Sequence, residues 1–191
     1  MQHKQRFTNV TLVTPYSEVD KDLLIEGDKI VDILNPSENI SDDWKIIDGN
    51  NHYIFPGMID VLQHGFLNYL YGHAEENCTV DNSKILPSVG VTSFLPSTPC
   101  LPPEKTKTLL NALSNDIDKA KEGARVLGIH SEGPCFALPG AHDPKNLRNP
   151  SVPLAEELLD ACQGKLKALT LAPEMNGSEE FIKRLKKENI S

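Results

Sequence analysis

The sequence predicts an α/β protein: a small β-sandwich domain over residues 1–55, then a partial (β/α)8 TIM barrel of about four βα units over residues 56–191. Three observations predict it. The first fifty-odd residues hold short β-rich runs with no helical stretch among them. The rhythm changes at Pro56-Gly57. Beyond that point apolar strand runs alternate with stretches of helical spacing, the pattern of a parallel sheet with crossover helices.

Taken in order, residues 10–13, 23–25 and 29–34 are strand-like. Pro15-Tyr16-Ser17 and Gly27-Asp28 separate them, and the second is a hairpin signal. Residues 45–48 and 52–55 read as two more strands, with Gly49-Asn50 as the turn between them. Past Pro56, strands are expected at 59–61, 91–95, 125–130 and 166–172. A weak helix is expected over 82–88. Another starts at about Pro103, with Leu109, Leu110, Leu113 and Ile117 at helical spacing. A third starts near Pro153, with Leu154, Leu158, Leu159 and Cys162 on one face. The last starts at Ser178, a suitable N-cap, with Glu179 and Glu180 in its first turn and Lys183, Arg184, Lys186 and Lys187 toward its C-terminal end. A complete barrel has eight such units and needs about 250 residues. Open edges on a parallel sheet invite pairing with another chain, so a homo-oligomer is expected.

Lys and Arg total 19 against 27 Asp and Glu, a net charge of −8. That balance argues against nucleic acid as a partner, which would want a basic face. A small anionic substrate stays open, because a local pocket can oppose the global charge. No apolar run reaches the length of a membrane span, so no membrane partner is expected. The first residues, Met1 to Arg6, are followed by no apolar signal-peptide stretch. Cys78, Cys100, Cys135 and Cys162 lie far apart with no C-x-x-C pair. They read as reduced thiols, and a cytoplasmic location is expected.

In a barrel the C-terminal ends of the strands carry the chemistry. Alternation on the third strand turns Leu127 and Ile129 toward helices and Gly128, His130 and Glu132 inward, with Gly133-Pro134 ending the run. Glu132 is then either a ligand to a hydrolytic divalent ion or a carboxylate capping the next loop, and spacing leaves both open. On strand one, Asp60, Leu62 and His64 share a face. Leu62-Gln63-His64 lacks the first imidazole of a His-x-His chelate, and a lone His64 is more often a hydrogen-bonded rim histidine than a ligand. Gly140-Ala141-His142 lies in a Pro- and Gly-rich loop of the kind that binds substrate, although spacing alone favours a solvated histidine there. His3, His52 and His73 have no partner of note. Asp116, Asp118, Lys119 and Lys121 read as a solvated helix face. No P-loop, dinucleotide G-x-G-x-x-G, H-E-x-x-H or G-x-S-x-G is present.

Several motifs then carry a resemblance. Pro56-Gly57-Met58-Ile59-Asp60-Val61 resembles the P-G-x-I-D opening of amidohydrolase barrels. His130-Ser131-Glu132-Gly133-Pro134 resembles the H-x-E-G-P motif of N-acetylglucosamine-6-phosphate deacetylases. Val91 to Thr98 is similar to that family's G-V-T-x-x-x-P-T segment. Gly140-Ala141-His142 with Leu147-Arg148, and Leu169-Thr170-Leu171-Ala172-Pro173-Glu174, are similar to later stretches of it.

The resemblance implies the N-terminal half of a metal-dependent hydrolase that converts N-acetylglucosamine 6-phosphate to glucosamine 6-phosphate and acetate. Its partner would be that small amino-sugar phosphate, and its cofactor one divalent metal ion, zinc or similar. Glu132 matches the family's metal-binding glutamate. Ala141 and His142 match the pair that contacts the sugar. His64 matches a position that is histidine in two-metal members and a non-ligand amide in some one-metal members. Leu62 departs from both types, so a second metal is not expected. In the implied mechanism the metal activates a water, and an aspartate takes its proton and later protonates the leaving amine. That aspartate, two metal-binding histidines and the phosphate-binding residues are expected beyond Ser191. No catalytic residue is therefore expected within the chain, and the chain alone is expected to be inactive. Two alternatives stay open: an amidohydrolase acting on a cyclic amide, which would want the missing His-x-His, and a non-catalytic half-barrel serving as a binding or assembly module.

Overall fold

The computed structural model describes residues 3–73 and 77–191, leaving out the His73 side chain. The chain divides into two compact units, Met1–Pro56 and Gly57–Ser191.

The first unit holds strands β1 (Lys4–Val13), β2 (Glu18–Asp20), β3 (Asp22–Glu26), β4 (Lys29–Leu34) and β5 (Lys45–Ile54). They form one five-stranded sheet, where the sequence suggests a two-layered sandwich. The length of β1 is the reason. One edge of it pairs in parallel with β5, while the other pairs antiparallel with β3 over Lys4 to Phe7 and with β2 over Thr11 to Val13. A ten-residue strand with three partners keeps every strand in one sheet.

The turn expected at Gly49-Asn50 is instead a bulge inside β5. Thr8 opposes Asp48 and Val10 opposes His52, so residues 49–51 face Asn9 alone. Asn9, Asn50 and Asn51 all have positive φ, which asparagine tolerates better than most residues. A Cβ on Gly49 would lie 2.0 Å from Val10 Cγ1, so only glycine fits. Val10, Leu12 and Leu23 form the core of this unit. The buried Arg6 guanidinium donates to Asp22 (Nε to Oδ2, 2.7 Å) and to the Glu38 carbonyl (2.8 Å).

The second unit begins with β6 (Met58–Gln63), a short hairpin of β7 (Gly65–Phe66) and β8 (Tyr69–Leu70), and α1 (Cys78–Ile85). Then follow β9 (Val91–Thr98), α2 (Pro103–Lys119), β10 (Arg125–Val126), β11 (Ile129–Glu132), α3 (Val152–Ala161), β12 (Leu166–Thr170) and α4 (Ser178–Lys186). β6 pairs with β9. β9 pairs with β10 along its first half and with β11 at its end. β12 flanks β11. All these pairings are parallel, and their order in space follows their order in the chain. The architecture is therefore α/β with a parallel sheet.

Local chemistry explains the departures from expectation. The third strand, expected unbroken over 125–130, is interrupted at Gly128, where φ is +149 and a Cβ would meet Lys167 Cγ at 2.3 Å. The first helix lies earlier than 82–88, because Pro87 shifts the chain into a 3-10 turn over Leu86–Val89. α4 is capped by Gly177 at φ +90, not by Ser178, whose hydroxyl donates to the Ala172 carbonyl (3.1 Å). The β7–β8 hairpin is antiparallel. Leu109, Leu110 and Leu113 of α2, Leu154 and Leu158 of α3, and Phe181 of α4 bury against Phe94, Ile129 and Leu166 of the sheet. Among the described residues no helix is long and apolar enough to cross a membrane.

Candidate active site

Glu132 is the last residue of β11. Its backbone stands opposite Thr170 of β12, and the next amide, Gly133 N–H, donates to the Thr170 carbonyl (3.0 Å). Gly133 has φ +86, and a Cβ there would lie 2.5 Å from Cys100 Sγ and 2.8 Å from the Phe136 ring. Glycine therefore lets the chain turn away immediately, and the Glu132 carboxylate is left at the strand end with 22% of its side chain accessible.

His64, just past β6, brings Nε2 to 3.0 Å from Glu132 Oε2. Its Nδ1 lies 3.1 Å from the Ser97 carbonyl oxygen. A carbonyl only accepts, so Nδ1 carries a hydrogen and Nε2 is the atom aimed at the carboxylate. An imidazole nitrogen and a carboxylate oxygen at this distance can share a metal ion. A ring oriented through its far nitrogen is the usual arrangement of a metal-binding imidazole.

His142 sits in the turn whose amide donates to the Pro139 carbonyl (2.9 Å). Its ring stacks on Phe136 (centroids 5.2 Å apart, planes 10° apart), and its Nε2 is 3.8 Å from the same Glu132 oxygen. It is therefore a largely covered histidine in place of the solvated one that spacing favours. Ala141 is exposed beside it. The structure thus brings Glu132, His64 and His142 to one point, with Ala141 at its margin. His52 lies elsewhere and has a partner, with Nδ1 2.7 Å from the Gly49 carbonyl.

The donor set fits a divalent ion in part. Glu132 Oε2 and His64 Nε2 converge, and a hydrolytic site uses about three protein ligands. Among the described residues no group of three or more His, Cys, Asp or Glu is placed to hold a metal ion.

No protein-family model matches the chain. The N-acetylglucosamine-6-phosphate deacetylase of Danio rerio is 30% identical over 198 residues, covering 97% of this chain and 48% of the relative. The chain is related to N-acetylglucosamine-6-phosphate deacetylases. It spans about half the length of the curated relatives it matches. The N-acetylgalactosamine-6-phosphate deacetylase of Escherichia coli O157:H7 is 33% identical over 103 residues, covering 53% of this chain and 27% of the relative. The crystal structure of the N-acetylglucosamine-6-phosphate deacetylase from Pasteurella multocida superposes with a TM-score of 0.83 at 25% identity, covering all of this chain and 49% of that one.

Beside this rim lies a set of side chains to which sequence reasoning gave no role. His130 is buried one step below Glu132, between Ser97 Oγ (Nδ1, 2.9 Å) and Thr170 Oγ1 (Nε2, 2.9 Å). Burial holds its pKa below the ordinary histidine value, against the opposing pull of Glu132. The inward alternation of β11 was the available signal. The Cys100 and Cys135 thiols are pushed up to about 11, chiefly by burial, which makes them poor nucleophiles. Arg148 holds the loop. Its amide donates to the Pro134 carbonyl (3.0 Å), and its guanidinium grips Glu157 of α3 through two bonds of 2.6 and 2.7 Å.

Proposed function

We propose that this chain supplies the N-terminal half of a (β/α)8 barrel in a metal-dependent deacetylase acting on N-acetylglucosamine 6-phosphate. The observation that carries the proposal is the convergence of Glu132 and His64 at 3.0 Å, from the ends of parallel strands whose spatial order follows the chain. That sequential order suits a barrel, since an open doubly wound sheet reverses strand order at a switch point. Residues 1–55 would be its small β domain.

Glu132 and His64 would hold one zinc-like ion, and Leu62 offers no donor for a second. When bound, the ion supplies Lewis acidity and a water of lowered pKa. Glu132 fixes the donor oxygen, and the Ser97 carbonyl fixes the His64 ring. His142, braced by Phe136, presents Nε2 toward the sugar rather than the metal, and the small Ala141 leaves the sugar room. With two donors converging, residues 1–191 alone do not turn over substrate. The buried thiols of Cys100, Cys135 and Cys162 suit a reducing cytoplasm. Apolar residues Ile59 and Val61, exposed on β6, mark an edge that calls for a cover, from the rest of the barrel or from a second copy in a homo-oligomer.

The test is acetate release from N-acetylglucosamine 6-phosphate by the protein that carries this chain, with the N-acetylgalactosamine isomer run alongside. Activity should disappear on chelation and return with zinc. No acetate from either sugar phosphate overturns the proposal, and turnover untouched by chelation overturns its metal half.

A further inference from the structure

One chain of hydrogen bonds crosses four of the five strands of the parallel sheet. The Gln63 amide of β6 donates to Ser97 Oγ of β9 (3.0 Å). Ser97 Oγ meets His130 Nδ1 of β11 (2.9 Å), and His130 Nε2 meets Thr170 Oγ1 of β12 (2.9 Å). Gln63, Ser97 and His130 are buried at 4%, 0% and 5% exposure, so water does not compete for the first two bonds, while Thr170 at the outer end of the third is exposed. The backbone ladder is weak at this level. The β6–β9 register shifts between Asp60 and Gln63, and Gln63 stands opposite Pro96, which has no N–H to give. β11 meets β9 only at His130 and Ser131. Side chains take over where the ladder fails.

We infer that His130 is a positioning residue: its imidazole, fixed between Ser97 and Thr170, ties β6, β9, β11 and β12 together one step below the rim and so holds Glu132 and His64 against each other. The donor count closes. Ser97 Oγ accepts from Gln63 and has one proton, with the Leu95 carbonyl (3.2 Å) and His130 Nδ1 as its possible acceptors. If the proton goes to Leu95, His130 Nδ1 donates to Ser97 and Nε2 accepts from Thr170. If it goes to Nδ1, Nε2 donates to Thr170. In both cases a neutral ring satisfies both neighbours. Ser97 is the pivot because its carbonyl also receives His64 Nδ1 (3.1 Å). One residue of β9 therefore sets both the strand that carries His64 and the tilt of the His64 ring. This inference rests on the proposed metal role of Glu132 and His64 only where metal affinity is its readout.

The two nitrogens can be tested separately. The terminal amide of asparagine reaches the Nδ1 position, and that of glutamine reaches the Nε2 position. His130→Asn keeps the Ser97 arm and should hold cobalt affinity within about twofold of the parent. His130→Gln keeps only the Thr170 arm and should weaken cobalt binding about tenfold, in the range typical of groups that orient metal ligands. Amide hydrogen exchange at Gln63 should quicken about tenfold in His130→Gln and in Ser97→Ala, and stay near the parent rate in His130→Asn and Thr170→Val. If either histidine variant fails to fold, Ser97→Ala against Thr170→Val decides the question by the same exchange measurement. Equal behaviour within each pair, or an unchanged Gln63 amide in Ser97→Ala, overturns the inference. The exchange readout needs neither metal nor substrate. A protein that binds no cobalt or releases no acetate would therefore refute the deacetylase reading while leaving this one to stand or fall on Gln63.

Discussion

The two rim donors stand on strands held in contrasting ways. β11, which carries Glu132, has partners on both sides, and its Ile129 is fully buried under the helices. β6, which leads to His64, pairs among the described residues with β9 alone, and its Ile59 and Val61 are 62% and 57% exposed. Glu132 is thus placed by the sheet itself. His64 stands at an edge and is placed by what it touches, the Ser97 carbonyl. A shared contact point does not imply shared support, and the difference decides which substitutions should matter most.

The largest effect should come from the anchored donor. Glu132→Gln keeps the shape but loses the charge, and turnover in the protein carrying this chain should fall on the order of 1000-fold, about 4 kcal/mol in the barrier. Bound metal by elemental analysis should fall with it. His64→Asn should cost only about tenfold, since an edge residue is the easier one to replace by water. Equal losses for the two would erase the contrast.

Stability should show the same asymmetry. Ile129→Ala leaves a cavity under α2 to α4 and should cost about 3 kcal/mol in urea unfolding. Ile59→Ala removes a side chain already mostly in solvent and should cost less than about 0.5 kcal/mol. A comparable loss at Ile59 would mean that β6 is covered in solution, as expected if another chain packs on that edge.

His142 tests the neighbouring loop. His142→Ala should lower turnover about tenfold, near the worth of one good hydrogen bond to substrate, while metal content stays unchanged. The 3.8 Å gap to Glu132 and the Phe136 stack argue for this role. Loss of metal would make His142 a ligand instead.

Which of these features the sequence could show follows from how local their causes are. Period-two alternation on β11 placed Glu132 and His130 inward because that signal needs only a few consecutive residues. The α2 stripe of Leu109, Leu110 and Leu113 was readable for the same reason. The bulge at Gly49 was not, because it depends on Asn9 some forty residues away, and a glycine-asparagine pair signals a turn equally well. The single sheet of the first unit was hidden likewise, since alternation gives a strand two faces but not the number of its neighbours. Ser97 and Thr170 gained meaning only once four strands stood side by side. The His142–Phe136 stack joins residues six apart in an irregular loop, where no periodicity guides the reading.

The smallest predicted effect concerns how that loop is tied down. Arg148 holds the segment after β11 to α3 through Glu157, and the hydrogen bonds from its guanidinium, aided by its charge, keep the Glu157 carboxyl below the usual glutamate range. A carboxyl with a depressed folded pKa stabilises the fold above its unfolded value of about 4.3 and loses that contribution as pH falls through the lower folded value. The pair is not dry: the Arg148 and Glu157 side chains are 30% and 36% exposed, so solvent screens it to less than about 1 kcal/mol. Glu157→Gln should therefore lower unfolding stability slightly at pH 7, and the gap to the parent should close as pH drops below about 4. The measurement is a pair of urea unfolding curves at each of several pH values. A gap that persists at pH 2.5 would show that shape rather than charge makes the tether, because both chains then carry a neutral side chain at residue 157. A gap that grows toward acid would reverse the sign argued here, and the loop bearing His142 would owe nothing to this ion pair.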